Sequence, residues 1–467
     1  MKIYYKVLKA TMTPEALAQL STKKIILESA NQTQVKGRYS IVALDYYGTI
    51  TLYDDFLEIK TQQQSETITT HFYDYFKNYI NQFNESISHS DLQDLPFISG
   101  FIGSCSFDLA RHEFPILKKT PLKLNNEHDA RFFMIEDVYV FDHYKDDLYV
   151  IATNQFSLAS QEQLEARVEN NIKRLYNIQP LHQTIDFQHH KVITSNIDKT
   201  SFLNMISQYK QKIQSGDMFQ VVPSRIYSYQ HHFGNQLHQL TFQLYQNLKR
   251  QNPSPYMYYI NMDEPIIIGS SPESFVKVHK DKVYTNPIAG TIQRGTTPDE
   301  DLAHTQQLLN DSKERSEHSM LVDLGRNDIN RIALPGSTSI LKLMEIEKYE
   351  HVMHIVSEVR GNVDKSLSPM TIIASLLPTG TVSGAPKLRA IQRIYESHPY
   401  KRGIYSGGIG YINCNQDLDF ALAIRTMLID DKEVHVEAGC GVVYDSIPEK
   451  ELRETQLKAK SLLEVTP

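Results

Sequence analysis

Two pairs of glutamates stand three residues apart in the second half of the chain, Glu314 with Glu317 and Glu451 with Glu454. On a helix, positions i and i+3 share a face, so each pair would present stacked carboxylates. Asp311-Ser312-Lys313-Glu314 reads as a capping box that opens one such helix. Met320, Leu321 and Leu324 supply its apolar side. Ser446-Ile447-Pro448-Glu449 reads as the start of the other, with proline in the first turn. Carboxylates on two helices could together hold a hard divalent cation. Mg²⁺ takes oxygen ligands, keeps several waters, and binds through few protein carboxylates plus an anionic group of the substrate. The spacing fits two solvated helix faces equally well and does not show that the helices meet.

Three glycine-bearing segments could line a ligand: Pro287-Ile288-Ala289-Gly290-Thr291, the run from Leu377 to Lys387, and Ala438-Gly439-Cys440-Gly441-Val442-Val443. Such loops expose backbone N–H groups to anions and let the chain approach a ligand closely. None matches a phosphate-binding P-loop or a dinucleotide fingerprint, which argues against a nucleotide. Lys387 and Arg425 could pair with substrate carboxylates, Arg through its planar fork. Each could instead be a structural ion pair. His354 lies in the apolar run Val352-Met353-His354-Ile355-Val356. It fits either a satisfied core histidine or an acid or base titrating near neutrality.

These groups need a scaffold. Ile41-Val42-Ala43-Leu44, Val138 to Phe141 and Leu148 to Ala152 have the β-branched and aromatic bias of strands, so the first 150 or so residues read as strand-rich. Residues 160 to 176 read as a surface helix. From 179 to 199, with Gln and His scattered between His182 and His190, no period is visible, and a domain boundary is expected there. Beyond it, strands such as Pro265 to Gly269 and Glu433 to Ala438 alternate with long helices. Acidic residues exceed basic ones for a net charge of −7 spread along the chain, which speaks against a nucleic-acid partner. No apolar run approaches the ~20 residues of a membrane span, and Met1 to Lys6 is not followed by the apolar stretch of a signal peptide. Cys105, Cys414 and Cys440 are odd in number and far apart, as in a reducing compartment. A cytoplasmic enzyme is the expectation.

Taken together, these segments resemble the chorismate-utilising enzymes. The resemblance rests on Lys313-Glu314-Arg315-Ser316-Glu317-His318 with Met320 to Leu324 and Arg326-Asn327-Asp328, on Thr379-Gly380-Thr381-Val382-Ser383-Gly384-Ala385-Pro386-Lys387, and on Asp445-Ser446, Pro448-Glu449, Glu451 and Glu454. It covers residues 200 to 460 strongly and the first 150 weakly. It implies an α+β fold with a two-layer β-sandwich core and helices packed outside. It divides the chain into a regulatory domain over 1–178 and a chorismate-binding catalytic domain over 195–463.

Two absent lysines separate the branches of this family. Isochorismate and salicylate synthases place a water-activating lysine where this chain has Gln220, and aminodeoxychorismate synthases typically place a ring-attacking lysine at Ala289. Both departures point to the anthranilate-forming branch. The aminodeoxychorismate-forming branch is the nearer alternative, and a non-catalytic tryptophan-binding regulator of a glutaminase the remoter one. Asn252-Pro253-Ser254-Pro255-Tyr256-Met257 resembles the tryptophan feedback segment of that branch. Leu27-Glu28-Ser29 and Gly37-Arg38-Tyr39-Ser40 resemble its N-terminal counterpart, so Ser29, Pro255, Tyr256 and Met257 are expected to contact the inhibitor.

The resemblance also implies roles. Glu317 and Glu454 would bind Mg²⁺, with Glu314 and Glu451 in support through water. Gly290 and Thr291 would line the ring pocket. Tyr405, Arg425, Gly439, Cys440 and Gly441 would take the enolpyruvyl side, with Thr381 and Lys387 also at the substrate. Gln220 occupies a catalytic position, Glu273 would protonate the departing hydroxyl, and His354 would serve pyruvate elimination. The amine nitrogen would come from glutamine. Cys105, in Gly103-Ser104-Cys105-Ser106-Phe107, lacks the second glycine of an amidotransferase elbow, so a separate glutaminase subunit is implied, two large with two small. Ile292-Gln293 and Cys440 depart modestly from the family pattern, where more basic residues and a small alanine are common.

Overall fold

A computed structural model describes residues 1–30, 37–123, 127–178, 185, 187, 191–348 and 352–467. Strands at the centre of the molecule are apolar on both sides, and their alternation shows why. Ile25, Ile41, Ala43, Tyr258 and Ile260 face one cluster, while their neighbours Ile26, Val42, Met257 and Tyr259 face another. Successive side chains of a strand point to opposite faces. A strand with a partner layer on each face therefore reads as a continuous apolar run.

The first layer is an eleven-stranded sheet. From one edge it runs Ile3–Lys9, Asp147–Thr153, Asp137–Asp142, Tyr39–Ala43, Lys24–Glu28, Tyr256–Asn261, Ile266–Ser271, Thr426–Ile429, Glu433–Gly439, Ser224–Gln230 and Thr194–Ser195. The second has twelve strands and includes Ile288–Gln293, Val352–Asn362, Ser274–His279, Leu418–Leu422, Gly408–Asn413, Gly100–Cys105 and Ala130–Ile135. Its strand Ser339–Lys348 pairs with Val352–Asn362. The ladders within both sheets are antiparallel. Phe97, Ile102, Phe133, Ile409 and Ala421 meet Ile25, Ile41 and Tyr258 between the two sheets. Outside the first sheet pack the helices Gln161–Leu175, Leu237–Gln251 and Pro448–Leu463. Outside the second pack Phe72–Asn81, Ser312–Asn330 and Pro369–Leu376. The fold is thus a two-layer antiparallel sandwich with helices on both outer faces, as the sequence implied.

Both sheets take strands from either side of residues 179–199. Lys24–Glu28 pairs with Tyr256–Asn261, and Gly100–Cys105 with Gly408–Asn413. Most of the expected boundary, with its His182 to His190 stretch, lies outside the described residues. The helix expected over 160–176 forms as Gln161–Leu175 behind a complete capping box between Ser160 and Gln163. Two local expectations are corrected. Asp311 caps Ser312–Asn330 by accepting from the Lys313 and Glu314 amides, and its own amide donates to Leu308 O. Glu314 instead turns toward Gly290, where an added Cβ would lie 3.2 Å from Glu314 Oε2. The segment through Gly290 is also no simple loop. It is the strand Ile288–Gln293, with its ladder interrupted between Ala289 and Thr291 and Gly290 at φ 79°. A left-handed φ suits glycine and strains a residue with a Cβ.

Candidate active site

The two glutamate-bearing helices meet the sheets at neighbouring places. Glu451 and Glu454 lie in the first two turns of Pro448–Leu463, which begins with Pro448 at its first position and packs on Glu433–Gly439. Glu314 and Glu317 open Ser312–Asn330, which packs on Ile288–Gln293 and Val352–Asn362. The Lys313 charge acts on Glu451, so the starts of the two helices lie within electrostatic range. Glu314 is pushed above the ordinary carboxyl range by burial, then by Glu317 and Asp311. Glu451 is pushed up by burial, with Glu454 adding to the effect.

These acids suit a cation. Glu451 Oε2 is buried without a hydrogen-bond partner, and an orphaned buried carboxylate oxygen is costly until something positive or a donor meets it. Oxygen donors from two helices are the ligand set of a hard divalent ion. Among the described residues, the tight three-ligand group is a different one: Asp54, His112 and Asp129 place ligand atoms within 4.8 Å of one another. There Asp129 already accepts from Lys401 at 2.8 Å and stands 2.8 Å from His112 Nε2. That group includes none of the four glutamates, and its Asp129 sits in an ion network with Lys401 and His112.

Around Glu454 the predicted residues converge. Lys458 Nζ bonds Glu454 Oε1 at 2.6 Å and donates to Gly439 O at 3.1 Å. Glu273 feels the Lys458 charge and accepts from Thr381 Oγ1 at 3.1 Å. Desolvation dominates there and raises the Glu273 carboxyl to about 7. An added Cβ at Gly439 would lie 2.9 Å from the Tyr405 hydroxyl, and one at Gly441 would lie 2.9 Å from Gln220 Nε2. At Gly439, where Pro223 O would also lie 2.8 Å away, a side chain would force the backbone to shift. Gln220 Oε1 is buried without a partner, and Cys440 is fully buried between the two glycines with its thiol raised by burial. Arg425 Nη1 donates to Ser461 Oγ at 3.0 Å.

The segment carrying Tyr405 is fastened from several sides. Arg402 donates to Val222 O at 2.8 Å and Val382 O at 3.1 Å. Lys401 meets Asp129, and the Gly403 amide donates to Asp108 at 2.8 Å. Burial, with Asp129 nearby, raises the Asp108 carboxyl to about 7.

The opposite wall is more open. Thr291 is exposed and its Oγ1 stands 2.9 Å from His354 Nδ1, across the Ile288–Gln293 and Val352–Asn362 ladder. Burial lowers the His354 pKa, which favours the neutral ring. Glu317 is exposed.

Lys387 does not join the convergent group. Its ammonium is buried, 2.7 Å from Asp328 Oδ1 and 2.9 Å from Leu376 O. Burial pulls the lysine down and the aspartate up. The pair ties Ser312–Asn330 to Lys387–Ser397. Lys458 was missed in the sequence, although Glu454 and Lys458 at i and i+4 are a recognisable helix-face pair.

The predicted inhibitor segments are also adjacent. Met257 pairs in register with Glu28, and the Ala30 amide donates to Ser254 O at 3.0 Å. Ser29 and Pro255 thus lie beside this crossing. Tyr256 Oη donates to Asp419 at 3.0 Å, and Met257 is buried in the core beneath Leu237–Gln251. Residues 31–36, which follow directly, lie outside the described residues.

This fold and this convergence of residues define a class. The chorismate binding enzyme family matches residues 22–464, and the chain belongs to that family. Within it, the chain is similar to anthranilate synthase component 1 of Lactococcus lactis, 39% identical over 97% of each chain. It is 35% identical to that of Saccharolobus solfataricus, over 94% of this chain and 92% of the other. The crystal structure of anthranilate synthase component I from Streptococcus pneumoniae superposes with a TM-score of 0.80 at 37% identity, covering 92% of this chain and 93% of that one. The menaquinone-specific isochorismate synthase of Escherichia coli shares the fold, with a TM-score of 0.72 at 17% identity over 99% and 95% of the two chains. No described helix is long and apolar enough to cross a membrane.

Proposed function

We propose that this chain is the ammonia-using subunit of an anthranilate synthase, converting chorismate and ammonia to anthranilate, pyruvate and water in tryptophan biosynthesis. The observation that carries the reading is the pair Gln220 beside Gly441 and Ala289 beside Gly290. Neither side chain can activate a water or attack the ring, so ammonia itself is the nucleophile.

Tyr405, Arg425 and the backbone around Gly439, Cys440 and Gly441 hold the enolpyruvyl carboxylate, while Gly290 and Thr291 bound the ring. Thr381 orients Glu273, and Lys387 braces Ser312–Asn330 through Asp328. Glu317 and Glu454, backed by Glu314 and Glu451, would hold Mg²⁺, which when bound supplies positive charge to the ring carboxylate. Glu273, raised to about 7, carries a proton near neutrality. It gives this proton to the C4 hydroxyl, which leaves as water while ammonia bonds to C2. A neutral His354 is suited to accept the C2 proton as the enolpyruvyl C–O bond breaks. Protonation of the enolpyruvate then yields pyruvate, and the ring becomes aromatic.

Glutamine would be hydrolysed by a separate amidotransferase subunit in a two-plus-two assembly. Tryptophan would bind where Ser29 meets Pro255, Tyr256 and Met257, joining the regulatory 1–178 segment to the catalytic 195–463 segment. A cytoplasmic location fits this role. The test uses the purified chain with chorismate, ammonium and Mg²⁺. A fluorescent product with one pyruvate per chorismate, abolished by EDTA and restored by Mg²⁺, is expected. Glutamine alone should support no turnover. Consumption of chorismate without pyruvate would instead indicate an aminodeoxychorismate-forming enzyme.

A further inference from the structure

Four residues from four separate stretches of the chain close a ring of hydrogen bonds around Arg425. Asn252 follows the helix Leu237–Gln251, and its Nδ2 donates to Ser461 O at 2.9 Å. Ser461 lies in the last turn of Pro448–Leu463 and accepts Arg425 Nη1 on Oγ at 3.0 Å. Arg425 O accepts the Ser270 amide at 3.1 Å. Ser270 Oγ completes the ring by donating to Asn252 O.

Arg425 has reason to need such support. Its backbone is left-handed at φ 52°, a conformation that costs a residue with a side chain and persists where the surroundings enforce it. Burial also works against its charge. Ser461 supplies an acceptor while its hydroxyl donates to Lys458 O at 3.2 Å. The same turn therefore touches the lysine that bridges Glu454 and Gly439. Ser254 Oγ stands 2.8 Å from Ser270 Oγ, and Ser254 O takes the Ala30 amide, so the ring is continuous with the N-terminal strand.

We infer that Ser461 and Asn252 are positioning residues that aim the Arg425 guanidinium at the substrate carboxylate without touching the substrate. The inference rests on the reading of Arg425 as a carboxylate-binding residue. Removing one such hydrogen bond should weaken ground-state and transition-state binding alike.

The test is steady-state kinetics of the full chain with chorismate, ammonium and Mg²⁺. Ser461→Ala and Asn252→Ala are each expected to raise KM for chorismate about 5–10-fold, the size of one lost hydrogen bond, with kcat within about two-fold. Ser461→Thr, which keeps the hydroxyl, should restore the wild-type KM. On an Arg425→Ala background, Ser461→Ala should add nothing further, because the shared partner is already gone. An unchanged KM in both alanine variants, while Arg425→Ala raises it, overturns the inference alone. Equal loss of kcat in Ser461→Ala and Ser461→Thr overturns it as well, by showing a merely structural role. An unchanged KM in Arg425→Ala overturns the reading of Arg425 and the inference with it.

Discussion

The two walls of the site are built differently. On the wall formed by Pro448–Leu463, Glu433–Gly439 and the segment around Tyr405, the basic side chains and Thr381 are cross-bonded, while Glu451 Oε2 and Gln220 Oε1 are buried without a hydrogen-bond partner. Lys458, Arg402, Arg425 and Thr381 each have a protein partner. On the wall formed by Ile288–Gln293, the start of Ser312–Asn330 and Val352–Asn362, Thr291 and Glu317 are exposed and Glu314 stands among other acids. On the proposed function the first wall takes the enolpyruvyl carboxylate, and cross-bonded donors need no rearrangement when charge develops. The second gathers Glu314, Glu317 and Asp311, whose mutual repulsion Lys313 offsets only as the smaller effect. On the proposed function, the comparison would separate recognition of the enolpyruvyl side, through groups already bonded in the folded chain, from recognition of the ring carboxylate through a bound ion.

The largest expected effect breaks the prepared wall at its acid. Glu273→Gln keeps the shape and the bond from Thr381 but removes the proton, and should reduce chorismate consumption by ~10²–10⁴-fold. The wild-type rate should fall as pH rises through about 7, where Glu273 ionises, and that limb should vanish in the variant. The stability consequence has a definite sign. Folded Glu273 holds its proton more tightly than the unfolded chain does, so stability falls as pH rises from the ordinary carboxyl range through about 7. Glu273→Gln should show a smaller loss in Tm between pH 5 and pH 8. A wild-type profile that is flat from about pH 6 to pH 8 would remove Glu273 from its role.

Next comes the metal edge of the same comparison. Glu454→Gln should lower Mg²⁺ affinity by roughly 100-fold or more, since even groups that only support a ligand contribute 10–100-fold. A titration of turnover with Mg²⁺ reads this directly. Lys458 should then be left with Gly439 O. If the Mg²⁺ half-saturation were unchanged, the unsatisfied acids would need another explanation.

Lys387→Met tests whether a family residue works by contact or by support. The structure places its ammonium on Asp328, and removing one partner of a buried pair costs about 3–5 kcal/mol because the other charge is stranded. A large drop in urea-unfolding stability is expected, with turnover of the still-folded enzyme changed by less than about ten-fold. Adding Asp328→Leu should recover part of the stability. A variant of normal stability with KM for chorismate raised far more than this would return Lys387 to the substrate.

The legibility of these features follows from the range of the interactions. Strands such as Tyr39–Ala43 and Asp147–Thr153 were readable because burial on both faces leaves a local apolar run. The glutamate pairs were readable because i and i+3 spacing is local. Which sheet a strand joins was not, since Lys24–Glu28 pairs with residues more than two hundred positions away. Nor was the Asn252, Ser270, Arg425 and Ser461 ring, whose members carry no shared local pattern. Glu314 at N3 of its helix matched a capping box, yet only the Asp311 half of the box forms, and the Glu314 carboxylate lies beside Gly290. Lys387 was placed by motif at the substrate side and by geometry beside Asp328.

The smallest expected effect lies on the open wall and concerns one hydroxyl. Thr291 Oγ1 stands 2.9 Å from His354 Nδ1 and helps hold the imidazole in place. Thr291→Val is nearly isosteric and removes only the hydrogen bond. A partly exposed bond of this kind contributes about 1 kcal/mol, or roughly five-fold in a rate. The loss should appear in pyruvate release and leave chorismate consumption nearly unchanged, because on the proposed mechanism Glu273 serves the first step from the other wall. Stopped-flow detection of pyruvate beside chorismate absorbance would separate the two rates. His354→Met should deepen the same split until an amino intermediate accumulates. If Thr291→Val slowed both steps equally, the walls would not divide the chemistry, and His354 would be tied to the ring pocket rather than to elimination.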